Sequence, residues 1–149
     1  VSYNTLRPQI KTLLETVNNV QEVSASPTLN VSGYPAIIIN DAENSDEYEN
    51  NAENIRNYDF SIILLYETKT GDISSAFDRL EPIVDDVINL FDEEDQKGKS
   101  TRTIGIDLPS GYTFINIWAT PSAWGQIGKA ELLMSTVRVS IRIAVDVRT

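Results

Sequence analysis

The chain has 149 residues and a mass of 16.6 kDa, the length of one ordinary domain. It contains neither cysteine nor histidine, which removes disulfides, thiol nucleophiles, thiolate- or imidazole-ligated metals and every catalytic triad or dyad built on an imidazole. Twenty-two acids against 12 basic residues leave a net charge of −10, the wrong sign for gripping a phosphate backbone, so a non-catalytic structural or binding role is expected, with no cofactor.

Leu6, Ile10, Leu13, Leu14, Val17 and Val20 recur at helical spacing and predict a first helix over residues 5–22. Pro8 fits such a helix only in its first turn. Pro27 and Gly33 punctuate the following loop. Residues 35–40 (PAIIIN) are short and β-branched, a first strand. Across residues 40–57, twelve of 18 positions are Asp, Glu or Asn. Such a segment has little apolar area to offset its ordering entropy, and it reads as a mobile acidic loop carrying Asp41, Glu43, Asp46, Glu47, Glu49 and Glu53. Residues 57–68 (NYDFSIILLYET) then predict a second strand.

Ile73, Phe77, Leu80, Ile83, Val84, Val87, Ile88 and Phe91 mark one stripe of a second helix. Pro82 interrupts it and is expected to delay the regular helix to about Glu81. Asp92, Glu93, Glu94 and Asp95 follow at the end where the helix dipole disfavours anions. Four acids placed against stability suggest either a fraying end or a functional acidic surface. Residues 108–111 (LPSG) form a turn, 112–120 a third strand, and 121–130, with Trp124, a connecting loop. Residues 133–148 predict a last, long strand that alternates strictly from Val137 onward. Val137, Val139, Ile141 and Ile143 face one way, with Arg138, Ser140, Arg142 and Ala144 facing the other.

The order is α-β-β-α-β-β. It predicts a single α+β domain over residues 1–149, a mainly antiparallel sheet with two helices packed on one face. No apolar run approaches the roughly 20 residues of a membrane span, and the opening Val1-Ser2-Tyr3-Asn4 lacks the pattern of a secretory signal.

The strand faces bear on partners. A sheet covered by helices on one side shows polar residues on the other. The last strand obeys, but the inner strands are apolar on both sides: Phe60, Ile62 and Leu64 against Ile63 and Leu65, Ile38 against Ile37 and Ile39, and Phe114 and Trp118 against Ile115 and Ile117. Either the chain covers the second face itself, by curling or through Trp124 of the 121–130 loop, or another subunit does. Self-association is the reading taken. Trp118, Trp124, Arg138 and Arg142 are its candidate interface residues. Arg138 and Arg142 lie on one strand face roughly 13 Å apart, and arginine favours bidentate pairing with carboxylates at interfaces. Residues 41–95 hold 17 acids and three basic residues, whereas residues 129–149 hold four basic residues and two acids. This polarity suits head-to-tail contacts in which two different patches meet, the arginines finding acids on a neighbouring subunit.

Other chemistries fit poorly. Asp41, Glu43, Ser45 and Glu47 alternate like a calcium loop, but Asp46 stands where its glycine belongs and Ala52 where its last glutamate belongs. Asp85 and Asp86 are adjacent on a helix and do not share a face. Gly125-Gln126-Ile127-Gly128-Lys129 lacks the glycine spacing of a phosphate loop and is followed by Ala130 instead of Ser or Thr.

The motif order is familiar. Leu13-Leu14 lies on the first helix, Gly33-Tyr34-Pro35-Ala36 leads into an apolar strand, and Arg56-Asn57-Tyr58-Asp59-Phe60 opens the next. Asp78-Arg79-Leu80 and Val84-Asp85-Asp86-Val87 lie on the second helix, and the last strand alternates valine with arginine. Over nearly the whole chain this resembles the tail terminator proteins of long-tailed bacteriophages. The resemblance implies a structural virion protein at the head-proximal end of the tail, assembled in the host cytoplasm. It forms a homo-oligomeric ring, usually a hexamer, that caps the tail tube protein, stops its polymerisation and docks a head-completion or neck protein. DNA passes through the lumen without specific binding, and an acidic bore lets it slide. No membrane and no cofactor are involved. Neck and tail-completion proteins of the same viruses, which join head to tail, share related folds. An unrelated homo-oligomeric adaptor would show the same strand faces without affinity for tail tubes.

Overall fold

The computed structural model describes residues 3–25, 33–41, 45–48, 53–68, 73–100, 106, 108–127 and 132–146. Helix α1 spans Tyr3–Leu14, strand β1 Glu22–Ser24, β2 Ala36–Asp41, β3 Ser45–Tyr48 and β4 Glu53–Glu67. Helix α2 spans Ile73–Ser100, β5 Tyr112–Ile127 and β6 Leu132–Asp146. The expected order of two helices and four main strands holds, with β1 and β3 as short additions. The sheet runs β1-β2-β4-β6-β5, and β3 pairs with the start of β4. Only β1 and β2 are parallel. Leu6, Ile10 and Leu14 of α1 and Leu80, Val87 and Phe91 of α2 are buried in one core with Ile37, Ile39, Phe60, Ile62, Leu64, Val137, Val139 and Ile141. Both helices therefore lie on one face of the sheet.

Four elements depart from the sequence reading. Helix α1 begins earlier and ends eight residues sooner. Its amides tighten at the end, Thr16 N–H donating to Leu13 O and Val17 N–H to Leu14 O at 3.1 Å each. Asn19 then takes φ 67°, a left-handed conformation that asparagine tolerates better than most residues. Val17 and Val20 still pack against the core from the turn, so their apolar spacing mimics further helix. Pro8 is the sixth residue of α1, beyond the first turn.

Helix α2 starts at Ile73 and runs through Pro82. The proline ring is exposed, while Ala76, Leu80, Ile83, Val84 and Val87 are buried on both sides of it. Burial of each of the four larger side chains is worth about 1.5–3 kcal/mol, and together they outweigh the roughly 3 kcal/mol that an interior proline costs. The acidic segment is also partly ordered: Asp46 pairs with Arg56 and Glu47 with Ile55 across β3 and β4. Asp41 ends β2 and Glu53 opens β4, so these four acids lie on strands where a loop is expected. Glu43 and Glu49 fall outside the described residues.

Strand β5 is the fourth. It passes through Pro121 and reaches Ile127, with irregularities between Phe114 and Asn116 and between Pro121 and Ala123. An edge strand accommodates proline because one row of its amides has no strand partner. The first irregularity inserts a residue and reverses the alternation. Phe114 and Ile117 consequently share the helix side with Ile143 and Ile141, and Trp118 turns to the other side opposite Ser140. Trp118 and Phe114 thus lie on opposite faces, not on the same one. Ahead of β5, Tyr112 N–H donates to Pro109 O at 3.2 Å, closing the expected turn, and Gly111 supplies its positive φ of 90°.

Candidate functional site

The sheet face turned away from the helices carries a polar grid over three adjacent strands. Register places Thr120, Arg138 and Ser61 in one row across β5, β6 and β4. Trp118, Ser140 and Asp59 form the next row, and Asn116, Arg142 and Asn57 the third. Asp59 organises the centre. Its Oδ1 accepts from the Ser140 hydroxyl at 2.6 Å, and its Oδ2 accepts from Arg138 Nη2 at 3.3 Å. Ser140 is buried, and the Asp59 side chain is 20% exposed against 52% for Arg138. The carboxylate lies beneath, and the guanidinium reaches outward beside Trp118. Asn116 Oδ1 is buried and has no hydrogen-bond partner among the described residues.

Arg138 therefore finds a carboxylate partner within its own chain, where one on a neighbouring subunit is expected. Asp59 belongs to the acidic stretch, but β4 brings it beside β6. The spacing of Arg138 and Arg142 along one strand holds; Arg142 is half-buried.

Among the described residues, Trp118 and Trp124 are the exposed large hydrophobic residues, at 39% and 42%. Both lie on β5, the edge strand, but on opposite faces. Trp124 is on the helix side, its ring 4.7 Å from that of Phe77 on α2 at an interplanar angle of 47°. Trp118 stands on the grid. The four candidate interface residues therefore split: Trp118, Arg138 and Arg142 share one surface, and Trp124 belongs to the β5–α2 seam.

The second face is less open than its composition suggests. Register turns Ala36, Ile38 and Leu65 away from the helices, yet all three are buried within the single chain. On that face Trp118, Thr120 and Arg138 are exposed.

The acidic run at the end of α2 is not one uniform surface. Asp92 and Glu93 are exposed. Glu94 is buried at 5% and pairs with Lys97 Nζ at 3.6 Å. Asp95 is half-buried, and its Oδ1 accepts the Ile117 backbone N–H at 2.9 Å. Ile117 is on the sheet edge, so Asp95 occupies a donor that another strand would otherwise use. Asp95 thus serves the packing of α2 on β5, and buried Glu94 pairs within α2, which explains part of a charge run placed against the helix dipole.

Among the described residues there is no cluster of three or more potential metal ligands, and no helix long and apolar enough to cross a membrane. No protein-family model matches the chain, and no curated protein is detectably similar to it in sequence. By fold it is similar to a chain in the virion of a native gene transfer agent particle. The match has a TM-score of 0.56 and 12% sequence identity, and it covers 95% of this chain and 93% of that one. At this identity the likeness is one of fold.

Proposed function

We propose that the chain is a structural protein of a phage-like virion, a tail terminator that forms a ring, of six subunits by its family resemblance, on the head-proximal end of the tail tube. The observation that carries this reading is the fold match to a virion chain over 95% of the sequence, which agrees with the motif order read from the sequence. Fold alone does not fix function. The surface adds a consistent feature: its described polar cluster is built from strand residues suited to protein contacts, with an exposed tryptophan beside an arginine, the residue types enriched at interface hot spots. A net charge of −10 suits a passage through which DNA slides without being held.

The test is tube arrest. Purified protein added to polymerising tube protein of the same virus should stop growth and appear by electron microscopy as a ring at one tube end. Tubes that grow to the same length with no ring bound would overturn the terminator reading. A ring found only on the head-completion or neck protein would move the chain to the neck.

A further inference from the structure

Helix α2 turns a one-signed stripe away from the sheet. Asp78, Glu81, Asp85 and Asp92 are exposed and, at 100° per residue, fall within about 60° of one another around the helix. Arg79 and Lys97 are exposed too, but they lie on a separate flank with Asp86 and Glu93, where the charges balance. The stripe is therefore purely acidic and about 21 Å long. The grid face lies on the other side of the sheet, where the Arg138 guanidinium is exposed and paired with Asp59.

We infer that these two surfaces are complementary halves of one contact: the Trp118–Arg138–Arg142 face of one copy receives the acidic α2 stripe of a second copy. The inference rests on the self-association in the function proposed above and specifies which surfaces make it. Three observations support a second copy as the occupant. The grid carries two arginines against Asp59 and the stripe only acids, and they lie on opposite sides of one molecule, so the two patches of one copy cannot meet each other. Their spacings also agree: two helical turns, about 11 Å, separate Asp78 from Asp85 and Asp85 from Asp92, within side-chain reach of the roughly 13 Å between Arg138 and Arg142. Trp118 supplies the apolar anchor beside the charges. Because the patches differ, the contact is heterologous, and its repetition closes into a ring or continues as a filament.

The β5 edge is a poor competitor for that role. Ile117 N–H is already taken by Asp95, and two outward positions further along the strand Pro121 has no N–H to offer. Side chains, and not strand addition, are what this side of the molecule presents to a partner.

The test uses one variant blocked on each surface. Arg138→Glu reverses the grid, and Glu81→Lys with Asp85→Lys reverses the stripe. Each variant alone should sediment as monomer, its self-association weakened at least tenfold, with an unchanged circular dichroism spectrum. Mixed in equal amounts, they should form a dimer and nothing larger, because one intact grid then meets one intact stripe. Trp118→Ala, which disturbs no ion pair, should weaken assembly of the otherwise unaltered chain. If the reversed variants assemble like the parent, or the mixture stays monomeric while the parent assembles, this pairing is wrong and the ring reading stands on another surface. A parent chain monomeric at all concentrations overturns the pairing and the self-association together. Assembly through these surfaces without tube arrest overturns only the terminator role.

Discussion

Asp59 is the residue on which the grid depends, and its two bonds differ in worth. The bond to Ser140 is short, and Ser140 is buried, so removing the carboxylate leaves a desolvated hydroxyl without its acceptor, at a cost of about 1–3 kcal/mol. The bond to Arg138 is longer and half in solvent, where an ion pair contributes less than about 1 kcal/mol. Asp59→Ala should therefore destabilise the fold by about 2 kcal/mol in urea titration. A double-mutant cycle with Ser140→Ala should give the larger coupling, and one with Arg138→Ala the smaller. The reverse order would mean that the arginine pair holds the strands together. On the present geometry Asp59 is fixed by the serine and orients the arginine. Nothing in the sequence identifies this triad, because Asp59 and residues 138 and 140 are about 80 positions apart. Only the β4–β6 register makes them neighbours.

At the scale of elements, α2 and β5 show where sequence periodicity carries the argument and where it stops. The buried stripe of α2 is legible because its apolar residues recur at helical spacing, but proline's local preference wrongly shortens the helix when tertiary burial is left out of account. Pro82 is exposed within a continuous helix, so it contributes strain without packing. Pro82→Ala should restore an amide donor and recover much of the roughly 3 kcal/mol interior-proline penalty, less the 0.4–1 kcal/mol or so by which proline restricts the unfolded chain. A rise of about 2 kcal/mol in unfolding free energy is expected, and a loss of stability would show that the proline shapes a bend needed for packing. Strand β6 is legible because its alternation is sustained from Val137 to its end. Strand β5 is not, because a single inserted residue reverses its parity at Phe114–Asn116 and no composition signal marks the insertion. That one irregularity decides whether Trp118 faces the core or the grid. The 45–48 strand is missed for another reason. Its residues Ser45-Asp46-Glu47-Tyr48 have little strand propensity of their own, and their pairing is dictated by the adjoining β4.

For the molecule as a whole, assembly is a contest between a local attraction and a global repulsion, and salt separates the two. A domain of this length is about 40 Å across. Two copies of charge −10 at that separation repel by about 10 kcal/mol in unscreened water. With a screening length of about 30 Å at 0.01 M the repulsion falls to about 3 kcal/mol, and with about 10 Å at 0.1 M to a few tenths. Contacts between the grid arginines and the acids of the α2 stripe act over about 4 Å, so at 0.1 M they keep about two-thirds of their strength. At 1 M, where the screening length is about 3 Å, they keep about a quarter. Association measured by sedimentation should therefore strengthen from 0.01 to 0.1 M salt as the net charges cease to oppose it, then weaken from 0.1 to 1 M as the contacts themselves are screened. In the Arg138→Glu variant the second limb should vanish. A parent curve that rises throughout would assign the contact to apolar surface and remove the arginines from it. A parent curve that falls from the lowest salt would mean that the local charges outweigh the repulsion of the whole molecule, against the arithmetic above.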